Sequence, residues 1–77
     1  MEQQEKLYTF VNWGDKVYHS KLETTKPELA VITSIDRDDQ CKIVYQTGGF
    51  NWVDRDELEA QMEARELVEI NLLNSSL

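Results

Sequence analysis

Over the first two-thirds of the chain, apolar side chains recur at every second position and are interrupted by turn-forming residues; over the last third that alternation gives way. Residues 7–11 are aromatic and β-branched enough for a strand or an extended arm, and Asn12-Trp13-Gly14-Asp15 then reads as a turn. A short strand is expected at 16–19. Residues 20–28 lack apolar periodicity and contain Pro27, which has no amide hydrogen to give a sheet, so they read as a long loop. Residues 29–35 make the strongest strand, with Leu29, Val31, Thr33 and Ile35 on one face and Ala30, Ile32 and Ser34 on the other. Both faces are mostly apolar, as in a strand covered on both sides. Asp36-Arg37-Asp38-Asp39-Gln40 is a turn, and 41–46 returns as the partner strand of a hairpin. Thr47-Gly48-Gly49 turns the chain again into a strand at 50–53.

The pattern changes at Asp54. Asp54 and Glu57 have the spacing of a capping box, and Leu58 and Met62 follow one turn apart among Glu59, Glu63 and Glu66. These residues predict an acidic amphipathic helix over 54–66. Beyond it, Leu67, Val68, Ile70, Leu72 and Leu73 suit a helical continuation or a last strand. A strand at 68–72 is preferred, because it alternates with Glu69 and Asn71 and would close a barrel. Residues 74–77 are expected to fray.

Together these elements predict a mainly β fold, a small partly open barrel of about five strands with one short helix near the C-terminus, forming a single domain over 1–73. Gly14-Asp15-Lys16-Val17 opening a strand, the long loop, the hairpin 30–35/41–45, and Trp52-Val53 leading into Asp56-Glu57-Leu58 resemble an SH3-like barrel. The nearest kinds are the KOW- and Tudor-like small barrels of short bacterial and phage proteins, and the likeness covers about residues 13–60. The resemblance implies a binding module that touches protein, RNA or a larger machine.

Charge redirects that implication. The 77 residues carry 15 acidic and 8 basic side chains, a formal net charge of -7. Seven acids and two bases fall within 54–69, a net of -5, whereas 1–53 holds eight acids and six bases. KOW-type modules that bind RNA are usually basic, and too few cations are present here for counterion release to drive direct nucleic-acid binding. Lys16, Lys21 and Lys26 form at most a minor basic patch. An acidic helix face is in the first place a solvated one. Its sharper use is to dock a basic protein partner, with a nucleic-acid-mimic inhibitor as a special case. On that reading the contact residues are Trp13, Trp52, Asp56, Glu59, Glu63 and Glu66. An alternative is a structural accessory protein or homodimer assembled through the apolar segment 67–73.

Catalysis and cofactors find little support. Trp13, Tyr18, Tyr45, Phe50 and Trp52 could cage a cationic group, but a chain this short needs its large side chains for a core. His19 and Cys41 are the only candidate base and nucleophile, and neither stands in a recognisable enzyme signature. Asp36-Arg37-Asp38-Asp39 lacks the Gly and Glu that a calcium loop needs at its sixth and twelfth positions, and Gly48-Gly49 is not followed by a phosphate-loop Lys. No enzyme activity, cofactor or metal is expected. The polar residues 1–6 do not form a secretory signal, no apolar run is long enough for a membrane span, and a lone thiol fits a reducing compartment, so a cytoplasmic protein is expected.

Overall fold

The computed structural model describes residues 7–75. Four strands, β1 (Lys16–His19), β2 (Glu28–Ile35), β3 (Gln40–Tyr45) and β4 (Phe50–Asp54), form one antiparallel sheet in the order of the sequence. A single helix, α1 (Arg55–Ser75), follows β4 directly. Each turn carries its own chemistry. Before β1, the Asp15 amide donates to the Asn12 carbonyl at 3.0 Å, and Gly14 takes a φ of 85° that other residues rarely adopt. Between β2 and β3, Asp36 Oδ1 accepts the amides of Asp38 and Gln40, each at 2.9 Å.

Alternation sorts the sheet into two faces. Val17, Ala30, Ile32, Cys41, Ile43, Tyr45 and Val53 are buried on the inner face, where Val11 and Leu58 of α1 complete the core. One correction to the expected alternation follows from the pairing. The register shifts between Ile32 and Ser34, so two residues of β2 answer one of β3. This bulge carries Ile35 to the inner side, opposite Cys41, although simple alternation places it with Leu29 and Val31.

Two further expectations are overturned. The sheet has four strands and stays open, because residues 68–72 are helical and do not supply a fifth strand. The helix expected over 54–66 runs instead to Ser75, 21 residues and about 32 Å long. Nothing between Asp54 and Leu73 breaks it, and Leu, Glu, Ala, Met and Arg are all strong helix formers. Asp54 starts it, accepting the amides of Asp56 at 2.9 Å and Glu57 at 3.3 Å on Oδ1. The tail expected at 74–77 is helical at 74 and 75, and positions 76 and 77, like 1–6, lie outside the described residues.

α1 packs against both edge strands, β1 and β4. Leu58 is fully buried and Met62 half-buried, and the Tyr18 amide on the free edge of β1 donates to Met62 Sδ at 3.5 Å. A helix laid over an edge strand blocks further strand pairing there. Residues 7–11 are an arm rather than a strand, and the arm is held by Glu59. Its carboxylate accepts the amide of Thr9 at 3.0 Å, of Phe10 at 2.9 Å and of Val11 at 3.1 Å. Glu59 is only 4% exposed, so this triple acceptance also satisfies a carboxylate that burial would otherwise penalise. Replacing it strands amides beside the core. Glu59→Ala is expected to lower stability by about 2–4 kcal/mol in urea unfolding, a large share of the roughly 4–11 kcal/mol available to a chain of this size. Glu59→Gln, which keeps one acceptor oxygen, is expected to lose less.

Candidate functional site

The start of α1 and the arm meet in one polar cluster. Arg55 is its hub: Nε donates to the Val11 carbonyl at 3.0 Å, and the guanidinium also donates to Asn12 Oδ1 at 3.0 Å. The guanidinium lies over the Tyr8 ring, 3.9 Å from its centroid, and 3.7 Å from Asp39. The Tyr8 hydroxyl donates to Asp56 Oδ1 at 2.6 Å. That bond, more than burial, pushes the Tyr8 phenol from its ordinary value near 10 up to about 12, because ionisation would set a phenolate against a carboxylate.

The residues expected to contact a partner are placed in three different settings. Glu59 is a correction: it belongs to the interior and is not part of any surface. The stripe Arg55, Leu58, Glu59 and Met62, at helical spacing, marks the side of α1 that faces the arm and sheet, and that spacing is visible in the sequence. Asp56 is exposed but engaged with Tyr8. Glu63 and Glu66 are exposed on α1, while Trp13, 77% exposed, stands in the turn before β1. Trp52 is half exposed on β4, at the opposite edge of the sheet. The six residues therefore do not form one site.

Two surfaces are more coherent, and the first contains the apolar segment 67–73 that the sequence offers as an alternative assembly surface. The first is the second half of α1. Every residue from Glu63 to Asn74 is exposed, including Leu67 (61%), Val68, Ile70, Leu72 (65%) and Leu73. Among them stand Glu63, Glu66 and Glu69, with Arg65 the one basic residue; its guanidinium lies 4.3 Å from the centre of the Tyr18 ring. Large apolar side chains at this density are uncommon on a free surface and mark contact sites.

The second surface is the outer face of the sheet. Cross-strand pairing lines up Lys16, Val31, Val44 and Phe50 in one row and sets Lys42 opposite Trp52 in the next. Phe50 and Trp52 are both half exposed, and Lys42 Nζ sits 4.5 Å from the centre of the Phe50 ring. A shallow depression of about 230 Å³ lies on this face, lined by Lys16, Leu29, Val31, Val44 and Gln46. These rows hold two lysines and no acid.

The residues that the sequence offers as base and nucleophile lie apart. His19 Nδ1 lies 2.8 Å from the Tyr45 hydroxyl, which also accepts from Asn51 Nδ2 at 2.9 Å. Cys41 is fully buried, and desolvation raises its thiol pKa, which disfavours the nucleophilic thiolate. Tyr45, the partner of His19, stands four residues along β3 from Cys41, roughly 13 Å away, so base and thiol are not brought together. The groove of about 530 Å³ between the 20–27 loop and α1 is lined by Tyr18, His19, Lys21, Glu57 and Arg65 among others, with mixed charge. Among the described residues, no three His, Cys, Asp or Glu side chains are grouped to hold a metal ion, and no helix is long and apolar enough to cross a membrane. Comparison with protein-family models, with curated proteins and with solved structures returns no match.

The Tyr8–Asp56 pair yields a pH signature. A phenol whose pKa is raised on folding contributes its stabilisation fully below pH 10 and loses it as pH climbs through about 12. Ultraviolet titration of the folded protein is therefore expected to show the Tyr8 phenol ionising late, near pH 12. In Asp56→Asn that late step should move towards 10.

Proposed function

We infer that the protein is a non-catalytic protein-interaction module whose docking element is the second half of α1. One observation carries this reading: Leu67, Val68, Ile70 and Leu72 are all 45% exposed or more on a helix that has left its own sheet, although a short chain has few large apolar residues to spare. The likeness of the strand and turn order to SH3-like small barrels, which serve as binding modules, supports the same reading.

The flanking charge describes the partner. Glu63, Glu66 and Glu69 are exposed around the apolar positions, so a complementary surface is apolar with basic residues at its rim. Removal of apolar area from water supplies the affinity, and the charges set orientation and encounter rate. Catalysis has no part in the proposal, and among the described residues the expected thiol is buried with a raised pKa and stands apart from His19.

The reading is tested by capture on the immobilised protein at rising salt, with Val68→Lys/Leu72→Lys as the control surface. A specific partner should bind the parent protein, lose roughly tenfold or more in affinity to the double variant, and weaken with screening. Identical capture profiles for the parent and the variant would remove α1 as the docking element.

A further inference from the structure

The partner chemistry just described is present on the chain itself. The outer face of the sheet is apolar and basic over most of its rows: Leu29, Val31, Val44, Phe50 and Trp52 stand with Lys16 and Lys42, and Asp54 at the end of β4 is taken up by Gln40 and the start of α1. The second half of α1 is apolar and acidic: Leu67, Val68, Ile70 and Leu72 stand with Glu63, Glu66 and Glu69. A sheet with one covered face and a helix with one exposed half are the two layers from which helix-on-sheet cores are built.

Resting on the interaction-module reading and naming its partner, we propose that the protein self-associates, the second half of α1 from one copy lying across the outer sheet face of another. A chain cannot make this contact with itself, because α1 packs on the inner side of its own sheet through Leu58 and Met62. Helix-to-helix pairing of two copies through the side that carries Leu67 and Ile70 is the poorer arrangement, since the same side carries Glu63 and Glu66 and would set them against their counterparts in the other copy. Helix-to-sheet pairing instead brings those three carboxylates to Lys16 and Lys42. The depression lined by Lys16, Leu29, Val31 and Val44 gives an aliphatic side chain of the incoming helix a place to seat. A two-fold axis makes the contact reciprocal and doubles the buried area, towards the roughly 1,200–2,000 Å² of a stable interface.

Charge reversal tests the pairing, because the two surfaces carry opposite signs. Lys16→Glu/Lys42→Glu leaves both surfaces acidic, and Glu63→Lys/Glu66→Lys/Glu69→Lys leaves both basic. Sedimentation equilibrium of the parent protein over a range from micromolar to about millimolar is expected to show association beyond the monomer. Each variant alone should associate at least about tenfold more weakly, and an equimolar mixture of the two should recover association, since every contact between unlike copies regains opposite charge. Far-UV circular dichroism checks that both variants are folded. A second readout, independent of the charge changes, uses Trp13→Phe, in which Trp52 is the sole tryptophan: its emission should shift to shorter wavelength as concentration rises and the helix covers it. A parent protein that stays monomeric throughout this range overturns the proposal, as does association that ignores both reversals. If the parent stays monomeric while Val68→Lys/Leu72→Lys still loses a captured partner, self-association fails and the interaction-module reading stands.

Discussion

One carboxylate holds the two ends of this domain together. Glu59, in the second turn of α1, accepts three consecutive backbone amides from residues 9–11, nearly fifty positions earlier. The arm would otherwise have no ladder to satisfy its amides, and Val11 would have no reason to enter the core. Held in place, the arm lets Val11 and half-buried Phe10 pack where a four-stranded sheet and one helix leave a gap. It also presents the Val11 carbonyl and the Asn12 side chain to Arg55, which in turn fixes Tyr8 and the first turn of the helix. Remove the carboxylate, and the arm, the helix start and one side of the core lose their common anchor.

That arrangement explains an apparent extravagance. Only the first two turns or so of α1 take part in the core, through Leu58, Glu59 and Met62, yet the helix continues for more than three further turns. The buried core draws no residue from the extension, which meets the sheet through Arg65 over the Tyr18 ring. The extension adds apolar exposure and acidic charge while giving little to its own core, and that imbalance is what the proposed docking role rests on. The open outer face of the sheet has the same character with the opposite charge.

Local chemistry made much of this legible from the residues alone. The four strands stand within a residue or so of where alternation, Pro27, the aspartate turn and Gly48-Gly49 put them, and Asp54 begins the helix as its spacing with Glu57 suggested. The failures share a cause: each required knowing what lies across the fold. Residues 67–73 satisfy a period of two and a helical period about equally, and the expectation of barrel closure tipped the choice towards a strand. The unbroken run of helix formers from Asp54 onward was the better guide, because backbone continuity costs less than a new turn without Gly or Pro. Glu59 looked like one more surface acid, since nothing in its neighbourhood announces an arm fifty residues away. The bulge at 32–34 was likewise invisible, because alternation in β2 is apolar on both sides and hides a change of face.

The same close packing makes Cys41 a reporter. The chain has a single thiol, it is fully buried, and it sits on β3 opposite Ile35 of β2 on one side and Val53 of β4 on the other. A thiol reagent can reach it only when β3 parts from a neighbour or when the helix lifts. Its labelling rate under native conditions therefore counts openings at the end of the sheet where the 36–40 turn joins β2 to β3 and where α1 begins. The protein thus carries a built-in clock for its own breathing, set by one sulfur atom.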